Sequence, residues 1–425
     1  DGLDPNEINK IKCIDPEDNW LEKRLKKACE KKGIEIQLFE NPLFINSKKE
    51  LEPFFREDKK KLFQTSFYKS ERNRLGILLD GNNNPSGGKW TYDDQNREKY
   101  PKGKTTPKIN FPNETKNHLE ALAYVEKYFS DNNGVLEASP IYPTDFETAE
   151  KWFDDFLKTR FKEFGPYEDA MLNKEWKLAH SVLSSSLNIG LLHPAEVVAA
   201  AESAYQNGNA PINSVEGFIR QVIGWREYVW GLYWLWMPDY RDANYLEASR
   251  EIPPAFLKKD ETTMACVSGA MDHLYEYAYT HHIERLMIFG NLSLTSGLNP
   301  QGVTNWMWSH FIDGAEWVML PNVLGMATYA DGGQMATKPY ASGGAYINRM
   351  SDYCSDCIYD PKKRTGENAC PFTTLYWDFL ARNRTKLSDN PRMGQQFAGL
   401  KRLSNLDEVR ERASQVLLYL DEGTL

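Results

Sequence analysis

The sequence predicts an α+β multidomain protein: a partial α/β unit at the N-terminus, a linker, and a large all-α domain. Three observations carry this. A single β-α-β run occupies the opening, a turn-rich tract follows, and beyond it apolar residues recur at helical spacing almost without interruption.

The N-terminal unit is bounded at residues 1–50. Ile11 to Ile14 reads as a short strand. Trp20 to Lys32 reads as a helix with Leu21, Leu25 and Ala28 on one face, stopped by Gly33, and Ile34 to Phe39 as a second strand. One such unit cannot bury both faces of a sheet. Either the α/β domain has lost its N-terminal part, the chain starting at Asp1 rather than Met, or the sheet is completed elsewhere. Residues 51–145 are expected to be an interdomain linker, marked by Asn82-Asn83-Asn84-Pro85, Gly87-Gly88 and the prolines and lysines before Asn113. Residues 146–425 form the helical domain. Asn117 to Phe129 ahead of it, and Phe146 to Phe161, Pro194 to Gln206, Val215 to Trp236, Met264 to Phe289 and Pro300 to Trp317 within it, read as helices.

Six cysteines in 425 residues do not make a disulfide framework; in a reducing, intracellular setting clustered thiols take metal or redox roles. There is no signal-peptide pattern and no membrane span, since the longest candidate, Val229 to Met237, is too short and too aromatic. A net charge of −9 argues against partners that select a basic face, nucleic acid above all, without excluding a local positive groove. The lysines of the N-terminal region and of Lys99 to Lys108 read as solvated surface.

Four cysteines are the strongest chemical signal. Cys354 and Cys357 form a C-x-x-C pair, Cys370 precedes Pro371, and Cys266 lies far upstream. Four thiolates gathered from distant stretches suit a tetrahedral zinc or an iron–sulfur cluster, and spacing leaves both open. Cys13 and Cys29 have apolar neighbours and read as buried and inert. The tryptophans crowded between Trp225 and Trp317 fill a helical core, and also suit electron hopping or stacking on a planar cofactor. The segment His180 to Ser186 offers hydroxyls and free N–H groups at a helix start, fit for an anion or for plain capping. His281-His282 places two imidazoles about 100° apart on a helix, so that one faces a cavity while the other supports it. Imidazole is also the side chain best placed to donate a proton near neutral pH. Arg226 and Asp313 are charges in apolar helical context and need partners; a pair between them beside a cofactor would satisfy both.

These segments together resemble the cryptochrome/photolyase family, and within it the iron–sulfur bacterial branch of prokaryotic (6-4) photolyases. The carrying motifs are Val215 through Gly224-Trp225-Arg226-Glu227-Tyr228, His281-His282-Ile283-Glu284-Arg285-Leu286-Met287 with Gly290-Asn291, and Pro321-Asn322-Val323-Leu324-Gly325-Met326. Thr337 through Tyr340, then Asn348 to Cys354, and Cys370-Pro371 complete the match. The resemblance spans nearly the whole chain and implies that roughly the first quarter to fifth of a family member is missing, so that the β-α-β unit is a remnant of a Rossmann-like antenna domain.

The resemblance implies non-covalent FAD in the helical domain. His180, Ser181, Val182, Leu183 and Ser184 would hold its phosphates, with Trp225 and Arg226 in the same site. Arg285 and Asp313 would flank the isoalloxazine, with Glu316 and Asn322 close by. Cys266, Cys354, Cys357 and Cys370 match the ligands of a [4Fe–4S] cluster, which family precedent prefers to zinc. His281 and His282 match paired histidines of the lesion pocket, and Tyr340 a pocket tyrosine. Trp306 stands where relatives begin an electron-transfer chain; Met307 and Lys258 replace aromatics of some relatives, with Trp308 as a substitute. A lumazine-type antenna chromophore is not expected to be retained. The implied protein is a monomeric, cytoplasmic, bacterial DNA photolyase acting on UV-damaged DNA. The alternatives are a blue-light photoreceptor with the same cofactors, and a primase-like iron–sulfur module without flavin.

Overall fold

The computed structural model describes residues 7–425 apart from 60, 137, 138 and 259. Strand β1 (Lys10–Ile14), helix α1 (Asn19–Lys32) and strand β2 (Glu35–Phe39) make the expected unit, with β1 and β2 parallel and Lys10 opposite Glu35. Gly33 ends α1 in the left-handed region at φ 65°, where a side chain would be strained. The sheet stays two-stranded among the described residues, and Ile14, Leu38 and Phe39 are exposed. The unit is pinned to the helical body: the Trp317 N–H donates to Asp18 Oδ1 at 3.0 Å, and the Asn19 N–H to the Tyr233 hydroxyl at 2.6 Å.

Residues 51–145 do more than connect. The helix Gln64–Leu75 buries Phe67, Tyr68, Glu71 and Arg72, and Phe55 and Phe67 join the main core. Phe55 lies so close to Gly231 that a Cβ there would come within 2.3 Å of its ring. By contrast, no residue of Lys116–Phe129 is buried, although the segment forms the expected helix, capped by the Thr115 side chain.

The helical body is built around two apolar clusters. One gathers Tyr228 to Tyr233, Met264 to Leu274, Ile283 to Leu292 and Trp306 to Leu324; the other gathers Trp152, Phe156, Phe161, Val197, Val198 and Phe218. Two expected helices are broken, and the breaks matter. The run expected from Met264 to Phe289 stops at Tyr277, Ala278 turning left-handed at φ 48°, and resumes at His282. The run expected from Pro300 to Trp317 stops at His310 and resumes at Glu316. His281 and Asp313 therefore stand at interruptions, not on continuous helices. Three wider, π-helical turns also occur among the described residues, at Arg220–Arg226, Arg285–Gly290 and Pro321–Ala327. Such turns insert a residue into a helix and recur at functional sites.

Candidate functional site

Each π-helical turn carries residues that the sequence marks for a cofactor: Trp225 and Arg226 on the first, Arg285 on the second, Asn322 on the third. Arg285 grips Asp313 with both terminal nitrogens, at 2.9 and 3.1 Å, and its Nε donates to the Thr280 carbonyl at 2.7 Å. The Ser184 hydroxyl donates to Asp313 Oδ2 at 2.7 Å. Arg226 does not pair with Asp313, contrary to the pairing expected from context. It donates to Asn188 Oδ1 at 2.7 Å and lies over the rings of Phe44 and Trp317, while Asn188 in turn donates to the Asp313 backbone carbonyl. The guanidinium nearest the carboxylate wins because Arg285 and Asp313 meet across the two helix breaks. Burial pulls the Arg226 pKa down to about 10, without a carboxylate in hydrogen-bond contact to offset it.

Trp225 Nε1 donates to Asn322 Oδ1 at 3.0 Å, tying the first π-helical turn to the third. Glu316 is buried, but it is committed to Arg241 and the Tyr233 hydroxyl. Sequence reasoning missed Arg241 and Asn188 as partners, and a solitary glutamate at a helix start offers no signal for either.

Of the segment His180 to Ser184, the His180 ring stacks on His281 with centroids 4.6 Å apart and planes 12° apart, and Ser184 serves Asp313. The Ser181 carbonyl accepts from Trp152 Nε1, while Val182, left-handed at φ 55°, and Leu183 are buried. His281 is fully buried, and neither ring nitrogen has a hydrogen-bond partner among the described residues. His282 behaves differently. Its side chain is solvent-exposed, yet enclosure by protein, helped by Arg285, drops its pKa to about 4. His282 is thus exposed where its neighbour His281 is buried, and Arg285 lies close enough to act on both. His180 Nε2 and Arg226 Nε are further buried nitrogens without a partner. Orphaned polar atoms grouped in this way signal a polar ligand or ordered water.

Tyr340 is about a third exposed, and its hydroxyl pKa is raised by burial and by Asp93, against Arg392 and Arg97. It neighbours Asp169, and adjacent Glu168 supplies a backbone hydrogen bond to the His180 ring. Arg97, Arg349 and Arg392 are exposed around Tyr340 and Tyr346.

The four cysteines converge. Cys266, Cys354, Cys357 and Cys370 line one cavity with Tyr353, Gly344 and Phe372, and a Cβ on Gly344 would come within 2.7 Å of Cys370 Sγ. Burial, then the neighbouring Cys370 and Cys357, push the Cys354 thiol up to about 12; Cys266 is raised by burial and by the other three. Among the described residues no three metal-binding side chains sit close enough to grip a single ion. Four cysteine thiols lining one cavity are a donor set that fits an iron–sulfur cluster or a zinc ion, either of which would take the sulfurs deprotonated.

Trp306 is buried, donates from Nε1 to the Phe256 carbonyl at 2.7 Å, and contacts the rings of Phe256, Phe289 and His310. Trp308 is half-buried and, two residues along the same helix, points about 200° away. Met307 is buried and Lys258 exposed. No helix among the described residues is long and apolar enough to cross a membrane.

Comparison with known proteins agrees with the fold. The fold is similar to a bacterial class III photolyase from Agrobacterium tumefaciens, with a TM-score of 0.53 and 17% identity over 97% of this chain and 80% of that one. It is also similar to the Synechocystis sp. PCC6803 cryptochrome, with a TM-score of 0.50 and 14% identity over 81% of this chain and 69% of that one. Residues 2–140 match the family described as deoxyribodipyrimidine photo-lyase-related protein. The chain belongs to the photolyase–cryptochrome family: it is 45% identical to the (6-4) photolyase of Agrobacterium fabrum over 92% of its own length and 76% of that relative. An uncharacterized mimivirus protein, R855, is 32% identical over 134 residues, which are 32% of this chain and 94% of the viral protein.

Proposed function

We propose that the protein is a DNA photolyase that repairs (6-4) pyrimidine photoproducts in UV-damaged DNA, with FAD and a [4Fe–4S] cluster bound. The observation that carries the reading is His282: an exposed imidazole close to Arg285, which pairs with Asp313, and to the orphaned nitrogens of His180 and His281. Kinship with a (6-4) photolyase supports the substrate, and family membership supports FAD.

When bound, reduced FAD would supply the light-driven electron. The chain's own residues do the rest. Arg285, held in place by Asp313, Thr280 and Ser184, presents a fixed positive charge with no reorganisation. Trp225 and Asn322 lock two walls of the site together. Exposed Arg97, Arg349 and Arg392 are placed to meet DNA phosphates while the lesion is flipped out of the duplex. With its pKa lowered to about 4, His282 would have to take up a proton, which its exposure to solvent allows, before it acts as donor to the lesion. Cys266, Cys354, Cys357 and Cys370 would hold the cluster as a clamp between separate helices, and Trp306 would pass electrons inward.

The test is illumination of flavin-reduced protein with a defined (6-4) duplex. Restored thymines support the reading, and no repair with reduced flavin present refutes it. A blue-light sensor is the second reading, favoured by the likeness to a cryptochrome; it predicts a flavin spectrum and light-driven spectral changes without repair.

A further inference from the structure

Behind His281 lies a buried polar cluster that the repair reading does not use. Glu284 is fully buried; its Oε1 accepts from the Tyr353 hydroxyl at 2.7 Å and lies 3.7 Å from His281 Nε2. His273 Nδ1 is 3.3 Å from Glu284 Oε2, and His273 Nε2 is 3.2 Å from the Asn173 carbonyl. A carbonyl only accepts, so Nε2 must carry a proton. Nδ1 faces a carboxylate, which also only accepts unless a proton lies between them. The His273–Glu284 contact therefore holds one proton more than a neutral histidine beside a carboxylate would.

We propose that His273 and Glu284 form a buried proton store for His281, with Glu284 as the positioning residue between the two imidazoles. In the resting state His273 is an imidazolium, Glu284 a carboxylate and His281 neutral. Transfer moves one proton from His273 Nδ1 through Glu284 to His281 Nε2, leaving His273 neutral and His281 charged. The total charge of the three groups stays at zero, so no uncompensated charge appears in the core. Glu284 is the acidic group that offsets burial at His273 and lifts its pKa, with Asp272 adding to it. His281 faces His180, His273, His282 and Arg285, all of which disfavour its charged form, and burial does so most of all. Tyr353 and Tyr279 are the remaining titratable neighbours of Glu284. His281 therefore takes the proton only when negative charge arrives nearby, and afterwards returns it.

The need for a proton rests on the repair reading, but the store is tested without it. The flavin-loaded protein, with its seven histidines labelled with ¹⁵N, is titrated by NMR in the dark without DNA. One imidazolium should persist above the ordinary histidine range in the wild type, disappear in Glu284→Gln, and persist in Tyr353→Phe, which leaves the His273 contact intact. A wild type in which every histidine loses its proton within or below the ordinary range overturns the proposal even if the variants fail to fold; an imidazolium unaffected by Glu284→Gln overturns it as well. In repair assays the same variant, at wild-type flavin and iron content, should lose its alkaline limb at lower pH than the wild type. An unchanged pH profile would reduce Glu284 to a packing role.

Discussion

Removing the Asp313 carboxylate isolates the charge that the candidate site most depends on. Asp313 is 8% exposed and Arg285 18%, and two short contacts join them, so the pair counts as buried. Breaking a buried pair from one side costs about 3–5 kcal/mol, mostly because the other charge is left uncompensated. Arg285 keeps the Thr280 carbonyl and lies over the rings of Tyr279 and Phe311 at 4.8 and 4.3 Å. Those cation–π contacts recover about 0.5–2 kcal/mol, which places Asp313→Ala near the lower end, about 3 kcal/mol. Asp313→Asn retains an acceptor for Ser184 and should cost less. Urea denaturation gives the stability, and flavin released by heat gives the cofactor content. The Arg285→Met background completes a cycle in which the double variant should be less damaged than the two single losses summed. Stability of Asp313→Ala within about 0.5 kcal/mol of wild type, the range of ordinary surface changes, or strict additivity in the cycle, would refute the reasoning.

Cys266→Ser should lose iron and soluble yield together, because metal binding is coupled to folding; iron and sulfide analysis checks it, and full iron content, or zinc in its place, counts against the cluster. His282→Ala should bind FAD yet repair about 10²–10⁴-fold more slowly, read from repair under light beside flavin absorbance; normal repair removes His282 as donor. Burial chiefly, aided by Glu17 and Glu316, raises the Asp18 carboxyl to about 7. A carboxyl raised in the fold stabilises it while protonated, fully so below 3.8, and that contribution is lost as pH rises through 7. Thermal stability should therefore decline from pH 5 to 8 in the wild type, and Asp18→Asn, which keeps an acceptor for the Trp317 N–H, should flatten the decline. Trp306→Phe should slow photoreduction of the flavin by external thiols in absorbance traces while leaving flavin content unchanged.

The elements with local signals were legible. Gly33 stops α1 where expected, the N-terminal strands follow their apolar alternation, and Pro194–Gln206 begins at its proline. The four cysteines gather as their number and the C-x-x-C pair suggested, though no spacing rule could attach Cys266 to the others. What stayed hidden depends on tertiary context. Ala278 is a good helix former, yet it is left-handed because the chain must turn there to seat His281 and Arg285. Asp313-Gly314 carries a turn signal, and the apolar residues around it masked the break. Arg226 and Arg285 look alike in sequence, and only the packing of three helical segments decides which one meets Asp313. The role of Gln64–Leu75 was hidden by charged residues, two of which, Glu71 and Arg72, fold inward.

The π-helical turns make the pocket depend on the count of residues along the chain as much as on their identity. Excising one residue from Arg220–Arg226 would let the helix relax to regular α geometry, a gain for the local backbone. Side chains outside the turn would keep their mutual orientation, because the wider turn is what absorbs the extra residue, while those inside it would be re-aimed. The Trp225–Asn322 contact and Arg226 over Phe44 and Trp317 would be lost together. A single-codon deletion at such a turn could thus leave a better helix and an empty pocket, a lesion that no survey of point substitutions would reveal.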